Sequence, residues 1–260
     1  MILRRVISHV RNQEWTAIGI DFLIVVVGVF MGIQIGNWNE LRQDRARAEV
    51  YSERLMTELQ AEFEYVTSHI EYNKSLRDAN REAYRGLSEK EALDDETILI
   101  NAFRATQYQW HERRRATFDE LVSSGSLALI FNDVLREAAN GVYNTPLFSL
   151  ILAEGENSRY RTLFRMLIEP ALYDDVSSNC GDRGYETEGV AVGLLTLDYD
   201  CTLEASADEM AEGVRALRSD PDILKALRLR NAQVIGRIFD MESTLSALGM
   251  NTLFAEETTL

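Results

Sequence analysis

The sequence predicts an all-α protein: one N-terminal transmembrane helix that continues into a long stalk helix, then an antiparallel helical bundle with one irregular insertion able to form a short β pair. Three observations carry this reading. Thr16 to Ile35 reads TAIGIDFLIVVVGVFMGIQI, with Asp21 as its one charge. From Trp38 no glycine or proline interrupts the chain until Gly86. The 260 residues contain only 3 Pro and 15 Gly, which argues against a turn-rich all-β fold and for long helices. The division that follows is residues 1–14 as a cytoplasmic N-terminus, 15–38 as the transmembrane helix, and 39–260 as a periplasmic helical domain with its insertion at 174–202.

The apolar run is bracketed by Trp15 and Trp38. At about 1.5 Å per residue these lie roughly 35 Å apart, which suits a hydrocarbon core of about 30 Å plus its interfaces. Indole rings favour that boundary, so both are expected as interface anchors. The run is too long for a signal-peptide core, and GNWNEL is not a small-residue cleavage site. The flanks do not settle orientation. Arg4, Arg5 and Arg11 face Glu14 on one side, while four arginines from Arg42 to Arg54 are interleaved with acids on the other. A long downstream domain translocates largely regardless of such charges. The two cysteines, Cys180 and Cys201, sit in the least helical stretch. A disulfide there requires an oxidising compartment and would contribute about 3 kcal/mol by closing a short loop; two separate buried thiols are the alternative. The bonded reading places the N-terminus in the cytoplasm and the domain in the periplasm.

Beyond the membrane run, Leu55, Leu59, Phe63, Val66 and Ile70 form an apolar stripe at helical spacing. The first helix is therefore expected to continue to Asn73–Leu76 or beyond. After the polar stretch SEKEALDDE, helical patterns cover Thr97–Tyr108 and Ala116–Val122, and Ser124-Gly125-Ser126 is a break. Asn132-Asp133 can cap a helix over Val134–Asn140. Asn144-Thr145-Pro146 reads as a cap with proline in the first turn, opening a helix that runs to about Ile168, where Glu169-Pro170 ends it. Asp174–Thr202 reads as irregular, with a short strand or hairpin in GVAVGLLTLDYDC. Ser206-x-x-Glu209 is a capping box. Asp220-Pro221 starts the last helix, with Ile223, Leu227, Val234, Ile238, Met241 and Leu245 inward and Gly249 as its stop.

Three segments carry a resemblance. AIGIDFLIVVVGVFMGIQIGNWNELR resembles the N-terminus of a bacterial family of unknown function, whose single-pass membrane proteins show an IGE-apolar-IQINNWNE type signature. TFDELVSSGSLALIFNDVLREAANGVYN resembles its middle region, with a T-Y/F-x-x-L-x-S-S-G motif, and LRSDPDILKALRLRNAQV its C-terminal helix. This sequence departs from the pattern with Asp21 in place of Glu, and Gly36-Asn37 in place of Asn-Asn. The resemblance implies a helical protein anchored in the bacterial inner membrane, and it brings no catalytic residues.

The net charge is −15. The first 40 residues hold three basic and three acidic side chains, so residues 41–260 carry all of it. Such a chain is repelled by nucleic acid, which is not an expected partner. Asp21 is a carboxylate inside a membrane run, a functional candidate by default, although it lies only about 9 Å past Trp15. Gly28, Gly32 and Gly36 repeat at four-residue spacing, which lets two helix backbones approach closely. Gly28 and Gly32 each fall about 20° from Asp21 around a helix, on either side of it, with Gly36 about 60° from Asp21; Gln34 points to the other side. This face is the expected site of association with another membrane helix. No metal or cofactor is expected. His9, His69 and His111 stand in no ligand spacing, and the Glu58, Glu62, His69 face reads as solvated. Ser123-Ser124-Gly125-Ser126 has no identifiable base for a nucleophile. Trp110-His111-Glu112-Arg113-Arg114-Arg115 reads as a helix face pairing with nearby acids.

The expected function is non-catalytic: a membrane-anchored structural or accessory protein that forms a homo-oligomer or joins a larger envelope complex, with lipid bilayer and other membrane helices as partners. The alternatives are an accessory subunit of an ion-coupled motor or transporter using Asp21, and a periplasmic sensor bundle.

Overall fold

The structure, a computed structural model, describes residues 15–110, 112–185 and 193–254. It divides into two compact units: residues 1–53 with Ala128–Phe131, and residues 54–127 with 132–260.

Helix α1, Trp15–Leu87, is one uninterrupted helix of 73 residues. It outruns the Asn73–Leu76 region because nothing in its sequence breaks it earlier. Its end is held by Arg218, whose Nη2 donates to the Gly86 carbonyl at 2.9 Å. A cation suits the negative end of a helix dipole. In the first unit every residue from Gly19 to Gln43 is exposed.

The second unit is the bundle. Its helices are α2 (Asp95–Arg104), α3 (Ala116–Ser123), α4 (Asp133–Asn144), α5 (Leu147–Glu156), α6 (Arg159–Leu167) and α7 (Pro170–Cys180), then α8 (Ala207–Ser219), α9 (Ile223–Ala247) and the short α10 (Met250–Leu253). Strands β1 (Arg183–Tyr185) and β2 (Leu194–Thr196) pair antiparallel, Gly184 opposite Leu195. The all-α class holds; β2 lies in GVAVGLLTLDYDC as expected, but its partner β1 comes from the residues before that piece, within the 174–202 insertion.

Local chemistry starts several helices. Asp94 accepts from the Thr97 amide at 2.8 Å and caps α2. Asn132 accepts from the Leu135 amide at 3.1 Å and caps α4. Ser206 and Glu209 form the reciprocal capping box of α8. Gly249 ends α9 with φ of 64°, the left-handed conformation that glycine adopts without a Cβ penalty.

Two expectations are corrected. The single helix from Pro146 to Ile168 is two, α5 and α6. Ser158 breaks it, turning extended and accepting from the Arg161 amide; an N-cap serine inside an apolar pattern outranks the pattern. The irregular segment does not begin at Asp174: Pro170 sits at the start of α7, and the helix continues to Cys180. Proline ends one helix and, lacking an N–H that the first turn does not need, begins the next.

The core of the second unit gathers the last turn of α1 with α2, α6, α7, α8 and α9. Leu99, Phe103, Tyr160, Phe164, Leu217 and Leu227 are all within it. The stripe on α1 is buried at Leu55, Leu59, Val66 and Ile70. Phe63 is half-buried and meets the ring of Phe254, centroids 5.3 Å apart. All six positions expected to face inward on α9 are buried.

Leu76 is 0% exposed, whereas Val50 on the same helix is 55% exposed. Leu76→Ala should lower unfolding stability by about 2–5 kcal/mol, the usual range for emptying a packed leucine site. Val50→Ala should change it by less than about 0.5 kcal/mol. Chemical denaturation of the two variants checks this.

Candidate functional site

Three arrangements carry chemistry, and each belongs to a single unit. The first is the exposed part of α1. Among the described residues it is the one stretch long and apolar enough to cross a membrane. Its most apolar window has a mean hydropathy of 2.1 with none of its residues buried. Asp21, Gly28 and Gly32 lie on one side of this unbroken helix. A Cβ added at Gly28, Gly32 or Gly36 would meet nothing within 4 Å, so this side of the helix is uncovered. Trp38 is 66% exposed. Trp15 opens the helix, but its side chain lies outside the described residues, as do residues 1–14 and His111.

The second arrangement is the disulfide. Cys180 and Cys201 are bonded, with Cα atoms 5.5 Å apart and a sequence separation of 21. Cys180 closes α7, and Cys201 lies in the connection before α8. Arg104 stabilises both sides: its guanidinium donates to the carbonyls of Cys180 and Tyr199, and to Cys201 Sγ at 3.4 Å. Asp175 anchors the same connection by accepting from the Glu204 and Ala205 amides. The bond therefore ties a helix end to a segment already tethered from α2 and α7.

The third arrangement was not foreseen from the sequence: charged groups sunk into the bundle. Glu62 and His69 are each 1% exposed, so the face read as solvated is buried. The reason lies beyond α1. Residues 107–110 and 112–115 are not helical; the second of these stretches brings Arg113 and Arg114 to Glu62 of α1. Glu62 accepts from Arg113 Nε at 3.0 Å and from the Arg114 amide at 3.1 Å. Glu58 accepts from the Thr117 amide at 2.8 Å. Glu58 of α1 thus caps the start of α3, where exposed N–H groups and the positive helix end favour negative charge, and Glu62 holds the residues just before it. The arginine cluster does pair with acids as expected, Arg113 with Glu62 and Arg115 with Asp119, but it does so from a loop.

On the opposite side, Arg237 of α9 is 3% exposed. It donates to Glu154 Oε2 at 2.6 Å and to Asn73 Oδ1 at 3.1 Å. Arg230 is 1% exposed and donates to the carbonyls of Ala105 and Gln107, just past the end of α2. Burial, reinforced by the neighbouring Arg237 charge, pushes the Arg230 guanidinium down to about 10; it remains a cation at neutral pH. Burial holds the Tyr72 phenol well above its ordinary value, with the Asp182 carboxylate adding to the effect, and its hydroxyl donates to Asp182 at 2.8 Å.

A cavity of about 230 Å³ lies beside His69, Gln109, Trp110, Arg113 and Phe148. It falls below the roughly 300–1,000 Å³ of typical small-molecule sites. No three His, Cys, Asp or Glu side chains among the described residues gather as a metal site. Glu62 and His69 are seven apart on one helix, a spacing readable in the sequence. The guanidinium and the amide that cover Glu62 come from about 50 residues away, and no local pattern announces them. Comparison with protein-family models, with curated proteins and with solved structures gives no match for this chain.

The disulfide generates a direct test. Replacing both Cys180 and Cys201 by serine should lower stability by about 3 kcal/mol, the loop-closure value for a loop of this length. Alkylation of the denatured, unreduced protein should label neither cysteine, and after reduction should label both.

Proposed function

We propose that this chain is a non-catalytic accessory protein of a membrane complex. Its first helix spans a bacterial inner membrane and pairs there with another helix, from a second copy or from a partner subunit. The observation that carries the reading is the exposed stretch Gly19–Gln43 of α1. An apolar surface of this length in water costs about 25 cal/mol per Å², and hydrocarbon removes that cost. The uncovered side carrying Asp21, Gly28 and Gly32 supports helix pairing, since small residues let backbones approach and a polar group gains a partner. The Cys180–Cys201 bond supports placing the bundle in the oxidising periplasm, with the N-terminus cytoplasmic. The charge of −15 speaks against nucleic acid as a partner.

One observation favours a second reading. Asp21 is the one charge between Thr16 and Asn39, and a carboxylate in such a run could serve an ion-coupled motor or transporter. In the structural role, a neutral polar side chain near the interface is sufficient.

Gly28→Leu and Gly32→Leu should each weaken helix association in a membrane two-hybrid or cross-linking assay, because the added side chain separates the backbones. Val27→Leu, on another side of the helix, should leave association unchanged. Equal behaviour of all three would remove the pairing face.

Asp21→Asn separates the two readings at matched expression. The accessory role expects copurifying partners and growth close to wild type. Loss of function with intact insertion would overturn a purely structural role for Asp21, and unchanged copurification of partners in that variant would then assign the loss to ion coupling rather than to helix pairing.

A further inference from the structure

The connection between α3 and α4 carries an apolar run that the bundle does not absorb. Leu127-Ala128-Leu129-Ile130-Phe131 has five apolar side chains in succession. Ile130 is buried, but Phe131 keeps 67% of its surface exposed. A single exposed apolar residue needs no explanation; the position of this one does. Ala128–Phe131 belongs to the same compact unit as the first 53 residues. Within that unit, Leu129 and Phe131 share a pocket with Leu41, Asp44 and Arg45 of α1. Leu41 itself is 57% exposed.

These α1 positions lie three to seven residues past Trp38, about 5–10 Å farther along the helix axis. The headgroup layer outside the hydrocarbon core is roughly 5–8 Å thick on each face. Leu41 and the connection beside it therefore fall where apolar side chains leave water, while charged neighbours at the outer edge of the layer stay hydrated. Asp44 and Arg45 are such neighbours, one of each sign. Exposed Ile35, Trp38 and Leu41 lead along α1 from its apolar run to this connection, which selects lipid as its cover.

We propose that the Ala128–Phe131 connection is a second membrane contact, with Phe131 inserted into the headgroup layer of a lipid bilayer beside the exit of α1. The proposal rests on the reading of α1 as a membrane span.

The test uses the full chain in phosphatidylcholine vesicles and two single-tryptophan forms. One keeps Trp38 alone. The other carries Phe131→Trp with Trp15, Trp38 and Trp110 replaced by phenylalanine. Each is quenched by lipid bearing a nitroxide near the headgroup, and separately by acrylamide in the water. The expected result is at least a twofold loss of emission from lipid nitroxide at both positions, with weak acrylamide quenching at 131. If Trp38 is quenched from the lipid and position 131 only from the water, the second contact is overturned and the anchor stands. Shielding of position 131 from both quenchers overturns it in favour of a protein cover. If neither position is quenched from the lipid, the anchor fails and the proposal fails with it.

Discussion

Burial of one face of α1 beyond residue 54 organises the bundle. Leu55, Leu59, Val66, Ile70, Leu76 and Ala83 recur on that face, each at most 5% exposed. Segments distant in sequence meet α1 along it: the 113–117 loop at Glu62 and Glu58, α9 at Asn73, and the far end of the chain at Phe63. No other helix in the bundle is long enough to offer so many successive turns. The remaining helices are mostly of eight to thirteen residues, a length marginal in isolation. They depend on α1 and on one another for a surface to pack against.

Several polar groups packed in the bundle serve helix ends. Glu58 satisfies a donor at the start of α3 and Glu62 one just before it, Arg230 satisfies carbonyls past the end of α2, and Arg218 does the same for α1. Short helices have many ends, and each end leaves backbone groups without an intrahelical partner. Where an end is buried, water cannot serve, so a charged side chain from another helix does. Arg237 differs: it joins Glu154 and Asn73 across α5, α9 and α1, and so fixes which way three helices face.

What could be read from the sequence was what is local. The apolar stripe of α1, the inward face of α9, the capping box at Ser206 and the pairing of two cysteines each depend on residues a few turns apart, or on composition. The apolar run from Phe22 to Ile33 needs only its own length. What could not be read depends on distant partners. Glu62 looks like one more charge on a solvated helix until Arg113 and the Arg114 amide, some 50 residues later, cover it. The α5–α6 break was missed because Leu147 to Leu167 keeps a helical period, and one serine in a capping role interrupts it. The Asp21, Gly28 and Gly32 alignment follows from helix geometry alone, because the helix is regular.

The contact between Phe63 and Phe254 also has a meaning in time. The two rings stand 191 residues apart in sequence, and a ribosome adds about 5–20 residues per second. Phe63 therefore waits some 10–40 s for its partner, and the Asn73 amide waits nearly as long for Arg237. During that interval the part of the α1 face that Phe254 and α9 cover stays open, although residues 113–117 have already reached Glu62 and Glu58. The apolar run ahead of it has emerged earlier still. The order of synthesis thus separates two hydrophobic surfaces on one helix: the first is complete well before the second can be closed, and the second has to be kept from aggregation until α9 arrives.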